Sequence, residues 1–149
     1  MSKLVIGIDP DSEKHGVSIY IDKKIEALFS ITLIDLLNLI NGQVKFNQSI
    51  NEIEIHIEDV CANSAVFRGG HSVSVQQSLA RRLGKCQQSQ VEVERMAEHL
   101  GVKVVKHKIS KKWKCAKIGK AEFERVTGWI CRSNEDTRSA AWFGFLGCN

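Results

Sequence analysis

The 149-residue sequence predicts an α/β protein in one domain, 1–149: a central five-stranded mixed sheet flanked by helices. Three observations predict it. Short apolar or alternating runs recur along the chain as strands do. The later runs are separated by stretches whose apolar residues recur at three- and four-residue intervals, as in helices. No repeat, low-complexity tract or linker divides the chain.

The first strand, 4–8, stops at Asp9-Pro10, where proline removes a ladder donor. Val17, Ile19 and Ile21 alternate with Ser18 and Tyr20 in the second strand. A polar turn, Asp22-Lys23-Lys24, leads to the third at 25–31, completing a meander. Thr32 caps a helix bearing Leu33, Leu36, Leu37 and Ile40, which Asn41-Gly42 is expected to end. Ile53, Ile55 and Ile57 alternate with Glu54 and His56 in the fourth strand, which closes at Glu58-Asp59. Residues 60–72, with Gly69 and Gly70, read as a flexible loop. A long helix occupies 74–100 and stops at Gly101; Gly84 within it marks a bend or a close packing contact. Val102, Val104 and Val105 form the fifth strand. Residues 111–127 are helical at least in part and end at Gly128, and Ser133 or Asn134 caps a last helix through Asp136, Ala140 and Phe143. Strands four and five are reached through helices, so they run parallel to the first.

With 43% hydrophobic and 26% charged residues, the composition is that of a soluble globular protein. The net charge of +4 permits a polyanionic partner without requiring one. Much of the positive charge lies between Lys103 and Arg125, a run that serves a solvated helix face as well as it serves DNA. Five cysteines, an odd count without CxxC or zinc-like spacing, read as reduced thiols. No signal peptide is visible, and no apolar run approaches the roughly 20 residues of a membrane span. A cytoplasmic protein is the expectation.

Chemistry is concentrated in three acids. Asp9 ends the first strand, Glu58 ends the fourth, and Asp136 lies in the first turn of the last helix. Functional groups of α/β sheets gather beyond the carboxyl ends of the strands. If strands one and four are neighbours, Asp9 and Glu58 meet there and the last helix brings Asp136 to them. Carboxylates crowded in this way repel unless a cation neutralises them. An all-oxygen donor set favours Mg²⁺ or Mn²⁺ over Zn²⁺. Two such ions, about 3.5–4 Å apart, suit in-line phosphodiester cleavage. Each acid also has a plainer reading: Asp9 as a turn residue, Glu58 as a solvated strand end, Asp136 as a carboxylate favouring the helix dipole.

The ordered motifs resemble those of RuvC-type Holliday junction resolvases, in the ribonuclease H-like superfamily. Ile6-Gly7-Ile8-Asp9-Pro10-Asp11-Ser12, followed by Gly16, resembles the opening motif, and Ile55-His56-Ile57-Glu58 the second. Leu83-Gly84, Leu100-Gly101-Val102 and 109–114 resemble the middle of the family, and 134–141 the closing motif. The order of strands and helices is also that of the ribonuclease H-like fold. The resemblance implies Asp9, Glu58 and Asp136 as catalytic and metal-binding residues. Two positions depart from it. Asp11 stands where glycine is usual, and Ser139 stands where a second acid is expected, three residues after Asp136. Either Glu135 supplies the missing charge, or metal is held more weakly, or the site is crippled.

The resemblance further implies four-way junction DNA as substrate and a homodimer, with the helix 74–100 as contact surface. It places DNA contacts at Phe67 and Arg68 in the loop after Glu58, at Arg81 and Arg82 on the long helix, and at Lys111, Lys112, Lys114 and Lys117. Phe67 is a candidate for stacking on unpaired bases or an ordinary loop hydrophobe. Trp113, Trp129 and Trp142 read as core or interface residues. Compactness and divergent motifs suggest the phage type. Two other functions stay open: a binder of branched DNA with weakened catalysis, and a nuclease acting on forks, flaps or RNA–DNA hybrids.

Overall fold

The computed structural model describes residues 2–47, 50–62 and 72–149. Strands β1 (Ser2–Asp9), β2 (His15–Ile21) and β3 (Lys24–Ile31) form the expected meander. Helix α1 (Leu33–Phe46) leads to β4 (Ile50–Glu58), and a single 3₁₀ turn follows at Val60–Ala62. Helix α2 (Val73–Leu100), β5 (Lys103–His107), α3 (Ile118–Thr127) and α4 (Glu135–Cys148) complete the chain. The sheet order is β3-β2-β1-β4-β5. β1 pairs antiparallel with β2 and parallel with β4, and β5 is parallel to β4. The α/β class, the mixed five-stranded sheet and the adjacency of the first and fourth strands are as the sequence predicts.

Alternation along the strands sorts side chains to two faces. Leu4, Ile6, Ile8, Ile55 and Ile57 pack with Leu36 and Ile40 of α1 and Val93 and Ala97 of α2. All but Val93 are completely buried, and each fully buried Leu or Ile contributes about 1.5–3 kcal/mol. The other face is covered by α4, where Val5 and Tyr20 meet Ala141, Trp113 and Phe123. Asp9 and Glu58 belong by parity to this second face. Here α4 lies unusually close to the sheet. A Cβ on Gly7 would collide with the Ala140 carbonyl, and one on Gly16 with the Asp136 carbonyl. Ser18 Oγ donates to the Ala140 carbonyl at 2.8 Å, and Tyr20 Oη donates to the Ala141 carbonyl at 2.7 Å. Glycines in the first two strands thus let the last helix settle against their backbones and fix where Asp136 stands.

Several boundaries differ from expectation. Asn41-Gly42 does not end α1, which continues to Phe46 and is capped by Asn47. An interior glycine costs only about 1 kcal/mol, less than abandoning the remaining ladder. Helix α2 is unbroken through Gly84, and among the described residues nothing beyond the adjoining helix backbone lies within 4 Å of its Cβ position, so that glycine serves no close contact with them. Ser72 caps α2, and Gly101 ends it in the left-handed conformation. Residues 111–117 are turns, with helix only from Ile118, because Trp113 has a left-handed backbone, φ 63°. Asn134 rather than Ser133 caps α4, in a reciprocal pair with Thr137. All five cysteines are unpaired, with Cys61, Cys115 and Cys131 exposed and Cys148 buried. Among the described residues, no helix is long and apolar enough to cross a membrane. The glycine-containing part of the 60–72 loop lies outside the described residues.

Candidate active site

The ends of β1 and β4 set Asp9 and Glu58 side by side, because the parallel register pairs Ile8 with Ile57 immediately before them. Both are buried, at 4% and 5% exposure. Their carboxyls lie within hydrogen-bonding reach of one another. Burial first, and then the Asp9 carboxyl, push the Glu58 carboxyl up to about 8. Glu58 is therefore largely protonated at neutral pH. Asp136 is raised by burial and by the neighbouring Asp9 and Asp11 carboxylates, against the pull of Lys114. The three acids expected to act together are thus one electrostatic unit.

Lys114 enters this unit. Its Nζ stands 3.4 Å from Asp9 Oδ2, and its ammonium is stabilised against burial by Asp9, Glu58 and Asp136. The backbone that aims it is strained. Trp113, just before it, occupies the left-handed region, which costs a non-glycine residue roughly 1–2 kcal/mol. Its indole is locked by Phe123, Trp142 and Phe145. Arg138, on α4 and 3% exposed, secures the segment from beneath. Its Nε donates to the Trp113 carbonyl at 2.8 Å, Nη2 to the Lys114 carbonyl at 2.6 Å, and Nη1 to Ser133 Oγ at 3.1 Å. Charge-assisted bonds of this kind contribute about 1.5–3 kcal/mol each, enough to hold the strain.

Asp11 sits in the turn after β1, its backbone N–H donating to His15 Nδ1 at 2.9 Å and its Oδ1 accepting from the Ser12 N–H at 2.7 Å. It adds negative charge beside Asp136. Ser139 is 1% exposed, and its hydroxyl has no hydrogen-bond partner among the described residues.

The remaining predicted residues are spread more widely. Lys111 is exposed and shares an open groove with Lys114, Cys115 and Glu135. Lys112 turns toward the aromatic cluster, 3.7 Å from Glu122 and 5.6 Å above the Trp142 ring. Lys117 is exposed at the start of α3, and Arg81 and Arg82 are exposed on α2. Arg82 shares the surroundings of Cys86 with Asp9 and Asp11, on the side of the acids. Phe67 and Arg68 lie outside the described residues. Trp113 is core, as expected, and Trp129 and Trp142 are packed against the same cluster.

Two features escaped the sequence reading. Arg138 carried a signal: a guanidinium in an otherwise small and apolar helical stretch needs buried acceptors. The second is a polar chain beneath α4. His56 Nε2 lies 2.8 Å from Glu54 Oε2, and His56 Nδ1 lies 2.7 Å from His107 Nε2. Lys3 and Lys103 close on Glu54 at 3.1 and 3.2 Å. Despite burial, the bonds from His56, Lys3 and Lys103 hold the Glu54 carboxyl down at about 2. Alternation in β4 gave no sign that its polar side would be covered.

Whether the residues suit a divalent cation can be tested on the site itself. Among the described residues, no group of three or more His, Cys, Asp and Glu side chains is arranged as a ready coordination sphere. The chemistry of the donors nevertheless fits a hard cation. Asp9 Oδ2 is buried, and its contact with Lys114 lacks hydrogen-bond alignment. Burial first, and then the Asp9 and Asp136 carboxylates, raise the Glu58 carboxyl although Lys114 pulls it down, so a hard cation would relieve a crowding of acids that the ammonium leaves in place.

No protein-family model and no curated protein matches the chain. Solved structures do. The chain is similar to Thermus thermophilus RuvC in complex with Holliday junction substrate, at 15% identity and a TM-score of 0.54, over 97% of this chain and 91% of that one. A second Thermus thermophilus RuvC structure matches at 13% identity and a TM-score of 0.51, over 97% and 92%. The fold is RuvC-like, within the ribonuclease H-like class.

Proposed function

We propose that this chain is a metal-dependent endonuclease that cuts branched DNA, four-way junctions first among its substrates. One observation carries the reading. Asp9, Glu58 and Asp136, from three distant parts of the chain, share their electrostatics with Lys114 at the carboxyl edge of the sheet. The RuvC-like fold supports it, since one structural neighbour was solved with Holliday junction substrate.

Asp9, Glu58 and Asp136 would hold Mg²⁺ or Mn²⁺, two ions per site. When bound, such ions activate water and stabilise the leaving oxygen in phosphodiester hydrolysis. The residues around them do the rest. Glu58 would serve as a ligand in its deprotonated form. Lys114 compensates the acids in the free protein and offers its ammonium to a phosphate oxygen when DNA arrives. Lys111, Lys117, Arg81 and Arg82 hold backbone phosphates, as does Arg68 near the branch point, where Phe67 stacks on unpaired bases. Lys112, committed to Glu122 and Trp142, contributes least. The whole chain, 1–149, acts as one catalytic domain in the cytoplasm. It pairs as a homodimer through the early part of α2, where Val73 is 69% and Val75 43% exposed. A two-fold dimer matches a substrate with two equivalent strands.

A second reading, a branched-DNA binder with weakened catalysis, is favoured by one observation: Ser139 places a buried hydroxyl, without a partner among the described residues, where a carboxylate is expected. Cleavage of labelled four-way junction, flap and RNA–DNA hybrid substrates, each with Mg²⁺, Mn²⁺ or EDTA, separates these readings. The proposal expects metal-dependent paired nicks in the junction and little product from the others. Binding without nicks under every condition supports the second reading. Preferred cleavage of flaps or hybrids assigns a different substrate.

A further inference from the structure

The connection between α3 and α4 carries a feature that the acidic site does not explain. Ile130, at 92% exposure, is the most exposed of the large hydrophobic residues described. Isolated surface hydrophobes are ordinary, but this one is displayed from a braced support. Trp129, beside it, is turned into the aromatic cluster. Its Nε1 donates to the Arg132 carbonyl at 3.1 Å, and its backbone N–H donates to Thr127 Oγ1 at 3.2 Å. Ser133, at the other end, is bound by Arg138, which also grips the Trp113–Lys114 backbone. One buried guanidinium therefore ties this loop to the segment that aims Lys114.

Charge indicates what the loop meets. From Arg125 to Asn134 there is no acidic residue. Arg125 and Arg132 are exposed, and neither joins an ion pair among the described residues. Val126, 39% exposed, extends the apolar surface. Ile130 precedes Asp136 by six residues, at most about 21 Å of extended chain. That is less than one turn of B-DNA, about 34 Å. Exposed arginines five residues before and two residues after an aliphatic tip, with no acid between them, suit nucleic acid better than a protein surface. Phosphates take the guanidiniums, and the tip meets bases.

We propose that Ile130 is a wedge that enters an opened base step of branched DNA beside the cleaved strand, with Arg125 and Arg132 gripping the flanking phosphates. Aliphatic wedges of this kind partly unstack a step at a cost of a few kcal/mol. The cost is least where bases are already unstacked, as at a branch point, so the wedge favours junctions over linear duplex. This inference rests on the branched-DNA reading above and assigns to it a specificity element outside the acidic pocket.

The test measures affinity in EDTA for a four-way junction and for linear duplex of the same sequence, with 2-aminopurine at the branch point reporting unstacking. The proteins are wild type, Ile130→Ser and the Lys111→Ala/Lys117→Ala pair. Ile130 is almost wholly exposed, so its replacement leaves the fold intact. The wedge predicts a roughly ten-fold loss of junction affinity in Ile130→Ser, unchanged duplex affinity and a reduced 2-aminopurine signal. Unchanged junction affinity in Ile130→Ser, with binding lost in the lysine pair, overturns the wedge and leaves the DNA reading standing. A wild type without preference for junction over duplex removes the reading beneath it. If Ile130→Ser also converts a dimer to a monomer in solution, the tip is a protein contact and the wedge is wrong.

Discussion

Replacing Glu58 by glutamine gives the sharpest physical consequence of the pocket. The native state holds the Glu58 proton to about pH 8, against an ordinary value of 4.5. A raised carboxyl means that folding takes up a proton between those values. The stability associated with it is fully present below pH 4.5 and is lost as pH rises through about 8. At 1.36 kcal/mol for each tenfold change in proton affinity, the full loss is on the order of 5 kcal/mol. A neutral amide of the same shape carries no such loss. Glu58→Gln should therefore match wild type near pH 4.5 and exceed it progressively up to pH 8. Urea titrations at pH 5, 6, 7 and 8 in EDTA measure the difference directly, and groups common to both proteins cancel. Added Mn²⁺ should narrow the gap by stabilising wild type alone. Parallel stability curves, or a wild type more stable than the variant at pH 8, would refute the assignment of a strained, protonated carboxyl.

Other outcomes follow from neighbouring contacts. Arg138→Met removes three bonds, one to a buried and two to half-buried acceptors, and releases the left-handed Trp113; denaturation should show a loss of about 3 kcal/mol or more. Lys114→Met leaves the acids without their ammonium, so Glu58 titrates still higher by carboxyl-resolved NMR and junction cleavage falls at least about 100-fold. Gly16→Ala, which drives a methyl into the Asp136 carbonyl, should cost about 1–3 kcal/mol or more, whereas Gly84→Ala, in open space on α2, should add roughly 0.5–1 kcal/mol. Ser139→Asp should tighten Mn²⁺ binding and lower the melting temperature without metal, since it adds a charge to a buried acidic site.

The sequence was most informative where local chemistry and global fold agree. The apolar run of β1, alternation in β2 and β4, the stops at Asp9-Pro10 and Gly101, and the capping signal at Ser133 or Asn134 place the strands that carry the acids and the last helix. Asp9 and Glu58 follow because parallel strands reached through helices bring their carboxyl ends together. What stayed hidden depends on contacts between distant residues. Lys114 reads from sequence as one cation in a basic run, and only the left-handed turn at Trp113 directs it to Asp9. Lys112, two residues earlier, is chemically alike but turns to the aromatic cluster. Glu54 and His56 look like the wet side of a half-buried strand until α4 covers them. Gly84 shows the opposite failure: it could signal packing, yet among the described residues nothing beyond its own helix backbone lies within 4 Å of its Cβ position.

The central claim is that Asp9 and Glu58 exchange a proton for a divalent metal ion. Calorimetric titration of Mn²⁺ at pH 7, repeated in buffers of different ionisation enthalpy, measures the metal bound and the protons released together. The account predicts binding by wild type with release of about one proton, since a carboxyl titrating near 8 is about nine-tenths protonated there, and binding abolished or greatly weakened in Asp9→Asn. Equal Mn²⁺ affinity in wild type and Asp9→Asn, or binding with no proton released, would contradict it.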